Sequence, residues 1–220
     1  MDNIENIFPF WNKLKESEKN TITNSIKKEK YSKGMIINKT ENTCKGLLAV
    51  LSGQLRVYIL SEEGREITLF RVKQGEICVL SASCLMDSIT FDTLIEAAEN
   101  TEILIIPSTI FKQIIEHNPY VELYLYKATT EKFSDVMWTM QQILFLKIDK
   151  RIAQFLWDEM INNNSLTLHI THEEIAKYIG SAREVVTKVL KYLSQENIIE
   201  LKRGIIKITS KEKLQKFLQM

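Results

Sequence analysis

The rhythm of apolar and polar positions changes three times along this chain of 220 residues. At the start, Ile4, Ile7, Trp11 and Leu14 recur at three- to four-residue spacing, which predicts helix over the first thirty residues. The next region holds short stretches rich in strand formers: Leu47 to Leu51, Leu55 to Leu60, Glu66 to Phe70 and Thr101 to Ile106. Gly34, Gly46, Gly53, Gly64 and Gly75 punctuate it roughly every ten residues, the spacing of a β-sandwich or barrel. Glu62-Glu63-Gly64 predicts a hairpin turn, and Pro107, which lacks an N–H, suits a strand exit.

After Asn118-Pro119 the pattern becomes helical. From Tyr120 to about Leu146 there is neither Gly nor Pro, and Val121, Leu125, Ala128, Phe133, Val136, Met140 and Leu144 recur. This predicts a helix of ~27 residues, ~40 Å long. So long a helix outruns a small domain, and the near-heptad seam predicts a partner helix and hence a homodimer. Beyond it, Arg151 to Met160 reads as a helix with Ile152, Phe155 and Leu156 on one face, broken at Asn162-Asn163-Asn164. Leu166 to Ile170 alternates as a short strand does.

Thr171-His172-Glu173-Glu174 has the spacing of a capping box, in which a hydroxyl and a carboxylate each satisfy an orphan N–H. The helix it opens carries Ile175, Ala176 and Ile179 and stops at Gly180. Ser181-Ala182-Arg183-Glu184 repeats the spacing and opens a second helix with Val186, Val189, Leu190 and Leu193 on one face. Helix, Gly-containing turn and helix form a helix-turn-helix arrangement. Ile198 to Leu201 and Ile205 to Ile208 flank Lys202-Arg203-Gly204, predicting a β-hairpin wing with cations at its tip.

Composition alters this picture only locally. With 45% hydrophobic and 26% charged residues the chain can bury a core, and no apolar run approaches the ~18 residues of a membrane span. The first residues lack a basic segment followed by an apolar one, and three Cys are too few for a disulfide framework, so a cytoplasmic setting is expected. Net charge is +1 overall, but it is −2 over residues 1–118, −1 over 119–146 and +4 over 147–220. A cationic end can collect phosphates. An Arg fork matches guanine O6 and N7, and a carboxylate accepts from cytosine N4. Arg183, Glu184 and Lys188 are therefore candidate base readers, against the plainer reading of Glu184 and Lys188 as an i,i+4 ion pair. Thr171, Ser181, Lys191, Lys202 and Arg203 are candidate phosphate contacts. No Ser/Cys–His–Asp set, metal-ligand spacing or Gly-rich phosphate loop supports an enzyme, and no catalytic or metal site is assigned.

Arg183 to Leu190 with Leu193 and Asn197-Ile198-Ile199 resembles the recognition helix and wing of the Crp/Fnr family of bacterial transcription regulators. Ala49 to Tyr58 is similar to that family's β-roll signature, and Asn118-Pro119 through Arg151-Ile152-Ala153-Gln154 to its dimer helix and hinge. The resemblance implies an α+β fold. Residues 1–118 would be a double-stranded β-helix (jelly-roll or β-roll) effector domain, 119–146 a dimerisation helix and 147–220 a winged helix-turn-helix. It implies a homodimer on double-stranded DNA at a palindrome with TGA-like half-sites, and contact with RNA polymerase if the protein activates. By the same resemblance Arg183 and Glu184 stand at base-reading positions and Thr171 at a phosphate contact. Lys188 stands where the family usually has Arg, and a single ammonium cannot fork as a guanidinium does.

Members of the family that bind cyclic AMP use a Gly-Glu and an Arg-Ser pair, backed by Thr-Ser on the dimer helix. Here Gly75-Glu76 is followed by Val79-Leu80 at the second Gly-Glu, no Arg lies between Arg71 and Arg151, and Val136-Met137 replace Thr-Ser. A phosphate buried without these partners would be desolvated uncompensated, so the effector is expected not to be a cyclic nucleotide. Cys44, Cys78 and Cys84 fall short of the four thiolates of an iron–sulfur cluster. The alternative is a thiol- or haem-based redox or gas sensor. It would use Cys78 and Cys84 as a switch or ligate haem through His117 or a Met, against the plainer roles of packed thiols and a surface His.

Overall fold

The computed structural model describes residues 4–38, 45–81 and 93–219. The chain divides into two compact units, one of Met1–Ile59 with Leu69–Val136, the other of Leu60–Thr68 with Met137–Met220.

The first unit begins with α1 (Ile4–Ile7), a 3-10 turn at Trp11–Lys13 and α2 (Glu16–Ser25). Helix ends there, short of the thirty residues that the spacing predicts. β1 (Lys27–Tyr31) is instead a strand, paired antiparallel with β8 (Thr101–Pro107) from Lys27↔Ile105 to Tyr31↔Thr101. Its Lys-rich sequence suits the edge position that it holds, where charge blunts unwanted pairing. Between them come β2 (Ile36–Asn38), β3 (Gly46–Ser52), β4 (Gln54–Leu60), β5 (Glu66–Lys73), β6 (Ile77–Cys78) and β7 (Leu94–Ala97). They form two four-stranded sheets, ordered β1-β8-β3-β6 and β2-β7-β4-β5. This is the double-sheet β-roll implied by the sequence resemblance.

The continuous apolar runs of β3 and β8 follow from burial on both faces. Leu48, Val50, Ile103 and Ile105 enter the core between the sheets with Leu55, Val57 and Ile95. Leu47, Ala49, Leu104 and Ile106 point the other way, against Phe8, Phe10, Trp11, Phe111 and Ile114 of the helical layer. Gly53 links β3 to β4 at φ +82°, and a Cβ there would lie 2.6 Å from the Asn100 carbonyl oxygen. Only Gly fits so close an approach.

Arg56, on β4, is 1% exposed. Its Nε lies 2.8 Å from Glu96 Oε1 on β7, and its guanidinium carbon sits 3.9 Å from the centroid of the Tyr58 ring. A charge so buried is tolerable only when paired. The strand pattern of the sequence does not reveal it.

α3 (Ser108–His117) leads into α4 (Pro119–Phe145), which confirms the long helix. The predicted seam is corrected, however. Val121 and Leu125 are fully buried against the helical layer of their own unit, with Ala128 packed beside them. The exposed apolar row is Leu123, Tyr126, Phe133, Met137, Met140 and Leu144. With Thr130 in the remaining place it alternates three- and four-residue steps, the heptad repeat that a second helix needs. The predicted row merges the two stripes at its five-residue step from Ala128 to Phe133, which carries it roughly 140° around the helix from the buried stripe to the exposed one.

The second unit contains α5 (Ile148–Asn162), β9 (Thr167–Leu168), α6 (His172–Ile179), α7 (Arg183–Gln195), β10 (Ile199–Lys202), β11 (Ile205–Ile208) and α8 (Lys211–Gln219). Its sheet is ordered β10-β11-β9, with Ile199↔Ile208 and Ile206↔Leu168 in register. Ile152, Leu156, Ile175, Val186, Leu190, Leu193 and Ile206 build its core. α8 is not foreseen from sequence, since one buried anchor, Leu214, sits among charged residues. Phe217 adds a second hold, with Lys150 Nζ 4.4 Å from its ring centroid.

Candidate nucleic-acid interface

The capping box that opens α6 is formed. The Glu174 N–H donates to Thr171 Oγ1 at 3.2 Å, while Glu174 Oε2 accepts from the Thr171 N–H and hydroxyl, each at 2.8 Å. The Thr171 hydroxyl proton is thus already engaged, and a phosphate oxygen must compete with Glu174 for it. α6 ends at Gly180, whose φ of +65° makes it the left-handed stop expected after a helix. Arg151 of α5 donates to the Ile179 carbonyl at the same end, and partial burial lowers its pKa from the ordinary guanidinium value. Sequence reading does not single out this anchor.

The second predicted capping box does not form. α7 starts at Arg183 with Ala182 at its N-cap position and no side-chain cap, and the Ser181 N–H instead donates to the Ala176 carbonyl at 3.0 Å. Two successive residues after Gly180 are spent on the turn, so Ser181 lies one residue too early to cap. Glu184 is consequently not tied to Ser181, and it forms no ion pair with Lys188. Both side chains are exposed.

α7 has two faces. Val186, Leu190 and Leu193 are fully buried, while Arg183, Glu184, Lys188 and Lys191 are exposed on the opposite side. Thr187 lies among the exposed group and donates its hydroxyl to the Arg183 carbonyl at 2.9 Å. His172, the first residue of α6, places Nδ1 2.9 Å from Thr187 Oγ1. Partial burial, followed by the charges of Arg183 and Lys191, lowers the His172 pKa from its ordinary value. The β10–β11 hairpin carries Lys202 and Arg203 at its exposed tip; Lys202 Nζ is 3.1 Å from Glu200 Oε1, an exposed pair worth under ~1 kcal/mol. Three cations on one helix face and two on an adjoining hairpin fit a polyanion with a groove wide enough for a helix.

Of the effector candidates, Cys78 and Val136 share the inter-sheet core, whereas Met137 is exposed. Cys78 is fully buried in the inter-sheet core, and that burial pushes its thiol up to about 11. Ser81 donates its hydroxyl to the Cys78 carbonyl, so the chain turns immediately after β6. Cys84 lies outside the described residues. Val136 is half-buried against the inter-sheet core, and Met137 is exposed. Val79 and Leu80 are buried, and the Glu76 carboxylate accepts from the Lys73 N–H at 2.8 Å to close a turn. His117 is exposed, with Nδ1 2.8 Å from the Gln113 carbonyl in the role of a helix-end residue.

A helix-turn-helix with a hairpin wing, in a chain that also carries a β-roll, defines a DNA-binding transcription regulator. Residues 150–217 match a Crp-like helix-turn-helix domain and residues 28–118 a cyclic nucleotide-binding domain. A transcriptional regulator assigned to the Crp/Fnr family from Eubacterium rectale ATCC 33656 superposes with a TM-score of 0.92 at 43% identity, covering 98% of this chain and 100% of that one. The cAMP-activated global transcriptional regulator CRP of Salmonella typhimurium is 26% identical over 174 residues, 76% of this chain and 82% of that protein. The c-di-GMP responsive global regulator CLP of Xanthomonas campestris shares the fold with a TM-score of 0.77 at 16% identity, over 89% of this chain and 100% of that one. The chain belongs to the Crp/Fnr family of transcription regulators. Among the described residues no helix is long and apolar enough to cross a membrane.

Proposed function

We propose that the protein acts in the cytoplasm as a homodimer on a DNA palindrome with TGA-like half-sites. Its α7 would lie in the major groove, with Arg183 and Glu184 reading base edges and Lys188 making a weaker or displaced contact. Thr171, Ser181, Lys191, Lys202 and Arg203 hold phosphates and set register. The observation that carries this reading is the exposed face of α7, where Arg183, Lys188 and Lys191 stand opposite the buried Val186, Leu190 and Leu193. The exposed heptad row of α4 supports the dimer.

Residues 1–118 serve as the sensing domain, 119–146 as the dimerisation helix and 147–220 as the DNA-binding domain. The effector is other than a cyclic nucleotide. In support, no Arg lies between Arg71 and Arg151, and the buried Arg56 is paired with Glu96. The full burial of Cys78 favours this over a thiol switch at that residue. Ligand binding shifts the population between arrangements of the paired α7 helices, whose spacing must match about one turn of DNA. As an activator the dimer would contact RNA polymerase.

Selection from random duplexes tests the base readers. Arg183→Ala is expected to lower affinity for the selected palindrome by ~1–3 kcal/mol and relax one base pair of the motif. An unchanged motif and affinity would remove Arg183 from that role.

A further inference from the structure

We propose that His172 takes up a proton when the α7 face docks on DNA, so that affinity rises as pH falls. This rests on the DNA-binding reading above and adds a regulatory property to the same surface.

The hydrogen bonds determine the imidazole's tautomer. Thr187 has one hydroxyl hydrogen and donates it to the Arg183 carbonyl at 2.9 Å. Its oxygen therefore offers only lone pairs to His172, and Nδ1, 2.9 Å away, must be the N–H. A neutral imidazole has one N–H, so Nε2 carries a lone pair and cannot donate to a phosphate oxygen. Protonation at Nε2, with the proton drawn from solvent, gives the ring a second donor and a positive charge while leaving the Thr187 bond intact.

The surroundings oppose that protonation in the free protein. From α7, the charges of Arg183 and Lys191 bear on the ring, and partial burial acts in the same direction. On its own helix the neighbouring acids are Glu173 and Glu174, and Glu174 is held by Thr171. α5, which also packs on α6, brings Arg151 to the Ile179 carbonyl at the far end of that helix. A duplex backbone reverses the balance, because its phosphates pair with Lys191 and bring negative charge close to the ring and to Arg183. The His172 pKa, lowered in the free protein by burial and the two cations, is thus raised on docking. Between its free and bound values, each bound protomer strengthens affinity up to about tenfold per pH unit of acidification.

The test measures affinity for the selected duplex from pH 5.5 to 8 at constant salt, for wild type, His172→Gln, His172→Arg and His169→Gln. Wild type and His169→Gln should weaken as pH rises, and calorimetry in buffers of different ionisation enthalpy should show proton uptake on binding. His172→Gln should give a flat profile. His172→Arg should be flat and bind at least as tightly as wild type does at low pH. A wild-type slope retained by His172→Gln would overturn the proposal, as would a flat wild-type profile, and either result leaves DNA binding itself standing. Failure of wild type to bind any duplex at any pH would remove the DNA-binding reading and this proposal with it.

Discussion

Phe133→Ala offers a direct measure of the α4 seam. In one chain the Phe133 side chain is 62% exposed, although it lies on a helix whose other apolar stripe is buried. Full burial of a Phe is worth about 3 kcal/mol. The exposed fraction leaves ~2 kcal/mol for a partner helix to recover. A symmetric dimer counts the substitution twice, so the dimer should weaken by ~4 kcal/mol, about a thousandfold in dissociation constant. Sedimentation equilibrium over a wide concentration range reads this directly. Leu125→Ala is the contrasting variant: Leu125 is buried within its own unit, so its loss should cost ~2–5 kcal/mol of folding stability through the cavity it leaves. A wild type that stays monomeric throughout, or a Phe133→Ala protein with the wild-type constant, would refute the seam.

At the wing, Lys202→Ala or Arg203→Ala should weaken all duplexes alike and reduce the slope of log affinity against log salt by about 1; a changed motif with an unchanged slope would contradict the phosphate assignment. Cys78, with a thiol pushed up to about 11, holds about one thiolate in a thousand at pH 8. Mass spectrometry after native alkylation at that pH should find it unmodified, and Cys78→Ala should leave the response of DNA affinity to oxidant unchanged. Rapid native labelling of Cys78 would reinstate it as a redox candidate.

Much of the fold follows from local pattern. The strand runs around Leu47, Leu55, Glu66 and Thr101, the Glu62-Glu63-Gly64 turn and the helix after Pro119 are all legible in patterns only a few residues long, although the strands' partners lie far along the chain. So is the Thr171–Glu174 capping box, whose partners are three residues apart. The second box failed on the same kind of evidence, because spacing cannot say how many residues the turn after Gly180 consumes. β1 carries an unpromising Lys-rich sequence and becomes a strand through its pairing with β8, whose partner residues lie 70 to 78 positions further along the chain.

Amino-acid order alone determined the main strands and helices other than β1 and α8, the cationic bias of the last third and the residue types on the exposed face of α7. Each depends on helical or strand periodicity, which is a local property of the backbone. Only tertiary structure separated the two apolar stripes of α4, buried Cys78 beyond easy ionisation, paired Arg56 with Glu96 and set His172 against Thr187. Those outcomes depend on which distant segments exclude water from a side chain, and burial and charge proximity are properties of the packed molecule.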